Sequence, residues 1–134
     1  MKQVNSRVVL NHAIIARLER ASIIALEQTG DYVQEKVTEA QVIPFDSGNL
    51  QNESTYVNKD ESEQGSVKLV SSTPYARRLY FHPEYNFRTD NNPNARGKWL
   101  EDWTENGKYA KSVKKFYAVA FRKLGGLKWW NYQM

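Results

Sequence analysis

STYVNKDESEQGSVKLVS, residues 54–71, is the stretch on which the fold turns. Ser54 to Lys59 and Ser66 to Ser71 are rich in Thr, Tyr and Val, and Val67 and Leu69 alternate with polar neighbours. That composition and period describe two half-buried strands. The short link from Asp60 to Gly65 turns them into an antiparallel hairpin. Its tip carries Asp60, Glu61 and Glu63, more acid than a turn requires, and solvation is the first explanation for them. Helical periodicity on both sides of the hairpin makes the expected class α+β.

Upstream, Ile14, Leu18, Ala21 and Ala25 recur at steps of four, three and four, the spacing of one helix face. Gly30 weakens a helix, and Asp31 with Gln34 three residues on reads as a capping box that restarts it. A break near Thr29 and Gly30, and hence a helix pair, is expected. The second stripe, Val33, Val37 and Ala40, ends before Ile43-Pro44, because a residue preceding proline is pushed out of the α region. Pro44 to Leu50 then forms an ordered turn built on proline, Asp46, Ser47 and Gly48.

Downstream, Ser72-Thr73-Pro74 reads as a cap with proline at the first helical position of a short helix through Tyr75, Ala76, Leu79 and Tyr80. Residues 81–98 hold two prolines and four asparagines without a sustained period, a loop longer than most compact domains keep. Its Phe81, Tyr85 and Phe87 favour a loop packed by its own side chains or by a neighbour. Gly97 to Trp103 is expected as a short helix. Tyr109, Val113, Phe116, Ala120 and Leu124 mark a final helix, stopped by Gly125-Gly126. The expected architecture is an N-terminal helix pair, a hairpin widened into a small sheet by one or two further strands, and a C-terminal helix packed across it.

With 134 residues, one domain spanning 1–134 with one core is expected. There is no cysteine, which removes disulfides, thiolate-bound metals and thiol catalysis together. A mean hydropathy of −0.72 leaves no room for a membrane-spanning stretch. No apolar segment of signal-peptide type follows Met1-Lys2, so the chain is expected to stay in the cytoplasm where it is made. The net charge of +4 is unevenly placed. Residues 1–105 carry a net −3, whereas residues 106–134 carry seven Lys and Arg and no acid. All four tryptophans also fall in the last 36 residues.

Signatures of catalysis are missing. His12 lies in a helix and His82 in the loop, and His82-Pro83-Glu84 offers the H-x-E of zinc deaminases without the cysteine ligands that chemistry needs. Phosphate-binding glycine motifs are absent. Asp31, Glu35 and Glu39 step by four along a helix, as an outward acidic face would. No catalytic residue, cofactor or metal is expected, and the chain reads as a non-enzyme. Its basic C-terminal region, with Lys111, Lys114, Lys115, Arg122, Trp129 and Trp130, has two readings. It supplies the ingredients of a single-stranded nucleic-acid platform, or the aromatic and cationic anchors of a subunit interface.

IPFDSGNL (43–50) and STPYARRLY (72–80), continued by FHPEYNF (81–87) and ARGKWLEDW (95–103), resemble the minor capsid proteins of tailed bacteriophages and of prophages of Gram-positive bacteria. A more distant similarity is to the head-tail joining, or tail-completion, proteins of long-tailed phages. There Thr-Gly-x-Leu precedes the strands; Ser47 here keeps the hydroxyl. The resemblance covers roughly residues 20–125, most of one domain. It implies a structural virion component at the neck, made in the host cytoplasm and assembled as a homo-oligomeric ring between portal-connector and tail proteins, with non-specific DNA contact as an option for its basic side. It also implies no membrane partner.

The interface candidates are then Phe45, Gly48 and Leu50 in the turn; Asp60, Glu61 and Glu63 at the hairpin tip; Tyr75, Arg77 and Tyr80 in the short helix; and Tyr85 and Phe87 in the loop. Lys111, Lys114, Lys115, Trp129 and Trp130 complete the set. For Phe45, Leu50, Tyr75 and Leu79, plain core packing is the leading explanation. The rival functional reading is a nucleic-acid-binding module using the basic aromatic C-terminal segment.

Overall fold

The computed structural model describes residues 8–44, 55–73 and 75–126. One helix, α1 (His12–Ala40), runs through the molecule. Asn11 caps its start by accepting a hydrogen bond from the Ile14 amide at 3.1 Å, and Gln41 ends it in the left-handed conformation, donating its N–H to Thr38 O.

The expected break at Gly30 does not form, and the helix pair is one helix. The glycine is explained by what crosses it. A Cβ at this position would stand 2.8 Å from Val57 Cγ1 and 2.7 Å from Val67 Cγ1, so the two strands approach α1 where it has no side chain. Asp31 and Gln34 do not form a capping box either. Asp31 Oδ2 accepts a hydrogen bond from Lys59 Nζ at 2.9 Å, and Gln34 Nε2 donates to Thr55 O at 3.0 Å.

Strands β1 (Thr55–Asn58) and β2 (Lys68–Ser71) pair antiparallel, Thr55 opposite Ser71 and Asn58 opposite Lys68. Residues 62–64 form a 3₁₀ turn, closed by Gly65 at φ 90°, where a side chain would be strained. Buried Ser62 donates its hydroxyl to Glu27 Oε2 at 2.7 Å. Glu27, Asp31 and Gln34, four and three residues apart, therefore hold the hairpin along one face of α1. The sheet has these two strands alone among the described residues; the expected widening is not found there.

The short helix α2 (Ala76–Tyr80) follows the hairpin, a 3₁₀ turn covers Glu101–Trp103 where a longer helix was expected, and α3 (Ala110–Gly125) closes the fold. Instead of lying across the sheet, α3 packs mainly along α1, with Tyr117 and Phe121 sharing a groove with the hairpin turn. The two helices run antiparallel. Ser22 Oγ and Tyr117 Oη are 2.9 Å apart, Tyr32 stacks on Phe116 with centroids 4.3 Å apart, and Gly126 ends beside the Arg17 guanidinium. Buried Ala21 and Ala25 share that face of α1 and let the helices come close.

The apolar core gathers at the C-terminal end of α1. Val37, Val42, Ile43, Ala76 and Trp99 form its centre, with Leu69, Leu79, Tyr80 and Leu100 packed around it. Trp99, only 1% exposed, meets the Tyr80 ring edge-on. The long loop is folded onto this end. Asn94 Nδ2 donates to Ala40 O at 2.9 Å, Asn92 Nδ2 to Ile43 O at 2.8 Å, and Arg96 N to Val42 O at 3.0 Å. Asn94 thus takes up a carbonyl that the end of a helix leaves without an intrahelical partner, and Asn92 one from the segment just beyond it.

Candidate interaction surfaces

Three surfaces carry the predicted site residues. Phe45, Gly48, Leu50, Trp129 and Trp130 lie outside the described residues.

The first surface is the hairpin tip. Asp60, Glu61 and Glu63 are exposed around the 3₁₀ turn, and the buried Ser62–Glu27 hydrogen bond fixes the turn against α1. Glu61 lies 3.4 Å from Lys68 across the hairpin, both side chains in solvent. An exposed pair of that kind contributes at most about 1 kcal/mol, so Glu61 remains available to a partner cation.

The second surface is the outer side of α3. Its α1-facing stripe runs through Ala110, Val113, Tyr117 and Phe121, which leaves Lys111, Lys114 and Lys115 exposed. Val119, one turn beyond Lys115, has 51% of its surface in water. The basic face thus continues into an exposed apolar residue.

The third surface joins α2 to the loop. Arg77 lies over the Phe81 ring at 5.7 Å, and Arg78 over Tyr85 at 5.9 Å. Arg78 Nε donates to the Tyr85 hydroxyl at 3.2 Å, a bond that raises the guanidinium pKa above its ordinary value. His82 stacks flat on Tyr85 at 4.7 Å, and Phe87 lies beyond at 6.5 Å from the same ring. His82 Nδ1 is 2.8 Å from Glu84 Oε1, and this hydrogen bond lowers the carboxyl pKa. Tyr75 and Phe81 are 46% and 59% exposed, so Tyr75 is a surface residue and not the core residue the sequence suggested. Leu79 does pack against the core, and Tyr80 is half-buried beside Trp99. Burial, with the Glu101 charge nearby, raises the Tyr80 hydroxyl pKa.

Arg77, Tyr85 and Phe87 were legible as candidates, whereas Arg78, Phe81 and His82 were not singled out with them. Their signal is spacing: Arg77 lies over Phe81 four residues on, one helical turn, and Arg78 over Tyr85 seven residues on, with His82 stacked on that same ring. Sequence reasoning also missed a groove of about 480 Å³, lined by Ile15, Leu18, Glu19, Tyr117, Phe121 and Glu63 among others. Among the described residues no group of three His, Asp or Glu side chains is arranged to hold a metal ion, and no helix is long and apolar enough to cross a membrane.

No family model, no curated protein and no solved structure matches this chain.

Proposed function

We propose that this protein is a structural, non-catalytic subunit that assembles head to tail with copies of itself, as a ring component at the neck of a tailed-phage virion. The observation that carries the reading is the placement of two unlike surfaces on different elements of one protomer. The hairpin tip presents Asp60, Glu61 and Glu63, and the outer side of α3 presents Lys111, Lys114 and Lys115, with exposed Val119 one turn beyond. A heterologous interface needs two such complementary patches, and repetition of that contact closes a ring when the rotation per subunit is right. The charges set orientation and encounter rate, while Val119 and the Arg77–Phe81 and Arg78–Tyr85 pairs supply anchors of the kind enriched at interfaces. The resemblance of residues 43–50, 72–87 and 95–103 to minor capsid proteins supports the virion assignment.

Charge exchange tests this. Replacing Lys111, Lys114 and Lys115 by glutamate abolishes assembly at low ionic strength in sedimentation or light scattering. Adding Asp60→Lys, Glu61→Lys and Glu63→Lys to the same chain restores it. Failure of the second set to rescue the first refutes the proposed contact. A protein that stays monomeric yet shifts DNA in a gel, with binding that falls steeply as salt rises, supports the nucleic-acid reading instead.

A further inference from the structure

We infer that the groove between the N-terminal half of α1, the hairpin turn and the C-terminal half of α3 is the docking site for residues 127–134 of the same chain, with Trp129 and Trp130 as the anchoring side chains. The groove has an apolar floor, with Ile15, Leu18 and Ile23 from α1 and Tyr117 and Phe121 from α3, and polar residues, Glu19, Ser22, Ser62 and Glu63, beside it. Ile15 in its lining, and Ile14 and Leu124 on the same two helices, are large apolar residues left exposed. Its space of about 480 Å³ falls within the ~300–1,000 Å³ typical of sites that enclose a multi-ring ligand.

The occupant follows from where the chain leaves α3. Gly126 turns out of the helix at φ 67°, beside Arg17, at the groove's own end of α1. Phe121 lies five residues back, ~8 Å along the helix axis. An extended chain covers ~10 Å by Trp129 and ~14 Å by Trp130, so both indoles reach the level of Phe121 without passing to another molecule. That short tether gives this segment a high effective concentration over any external competitor. Charge agrees: Glu19 and Glu63 flank the groove, and Lys128 is the only charged side chain in residues 127–134.

Contact quenching of a dye by tryptophan measures this directly. The chain has no cysteine, so Gln64→Cys, at the exposed hairpin turn, takes a single bimane label. Trp99 and Trp103 pack at the opposite end of α1 and do not reach it. The label is expected to be quenched several-fold relative to a W129F/W130F chain, equally at assembling and at monomeric concentrations. Ile15→Glu, a substitution at a helix position 37% exposed, releases the quenching with the far-UV circular dichroism unchanged. Equal emission with and without the tryptophans overturns the inference. So does quenching that vanishes on dilution, which assigns the groove to a second copy, and so does quenching that survives Ile15→Glu.

Discussion

Gly30→Ala separates two explanations of the one glycine inside α1. On a solvent-facing helix surface, alanine is better than glycine by about 1 kcal/mol, and the substitution stabilises. Here the added methyl would lie 2.7 Å from Val67 Cγ1 and 2.8 Å from Val57 Cγ1, well inside contact distance. Both neighbours are β-branched and stiff at χ1, so neither turns aside freely. Forcing a side chain off its rotamer costs about 0.5–1.5 kcal/mol, and overpacking a close contact about 1–3 kcal/mol in total. Against that propensity gain, the overpacking cost leaves an expected net loss of up to about 2 kcal/mol. For a domain of this size that lowers Tm by up to roughly 7 °C.

The assay is urea or thermal unfolding of four chains: wild type, Gly30→Ala, Val67→Ala and the double variant. Val67→Ala removes the atom nearest the new methyl, so the double variant is expected to recover at least about 1 kcal/mol relative to additivity. Because the contact seats the hairpin, Gly30→Ala should also weaken assembly in the charge-exchange assay. A Gly30→Ala protein more stable than wild type, with additive double-variant energies, refutes the close packing of strands on α1. It would also remove the reason given for the unbroken helix.

Asn92→Ala removes the side-chain donor to Ile43 O from a site only 4% exposed. The stranded carbonyl costs about 1–3 kcal/mol in urea unfolding; a loss below 0.5 kcal/mol on that ~1–3 kcal/mol scale means this bond does not hold the loop on the segment that follows α1. Tyr80 has a hydroxyl pKa raised above 10.0, chiefly by burial, so the folded state resists its ionisation. Stability tied to that group is intact below the ordinary tyrosine value and is lost as pH rises through the raised one. Tm measured between neutral and strongly alkaline pH should therefore fall more steeply for wild type than for Tyr80→Phe, and parallel curves contradict this.

The elements themselves were legible where periodicity is local. The stripe from Tyr109 to Leu124 corresponds to α3 within a residue at each end, and Thr55–Asn58 and Lys68–Ser71 lie inside the two predicted strands. Errors arose where a residue answers to a distant partner. Gly30 and Asp31 look like a helix break followed by a cap because the sequence around them contains nothing of Val57, Lys59 or Val67. Asn92 and Asn94 have the composition of an open loop, yet their amide groups serve carbonyls 49 and 54 residues earlier in the chain. The aromatic surface was legible in Tyr85 and Phe87, but its cations needed the helical register of α2, which a five-residue helix barely announces. The groove needed the antiparallel docking of α3 on α1 and has no local signature.

The continuity of α1 bears on the proposed assembly as well as on folding. The hairpin tip is fixed at Glu27 and the loop is fixed at Ala40, thirteen residues further along. In an unbroken helix that places the two attachment points ~20 Å apart in a set rotational relation. A head-to-tail contact repeats the same angular step at every interface, so an error in the angle between any of a protomer's contact surfaces, the α2 anchors included, accumulates around the ring and prevents closure. A hinge at Gly30 would place a variable joint between the acidic tip with its anchor and the α2 surface. Seating Val57 and Val67 on the glycine removes that joint, and the residue that most weakens the helix locally is the one through which the hairpin is locked to it.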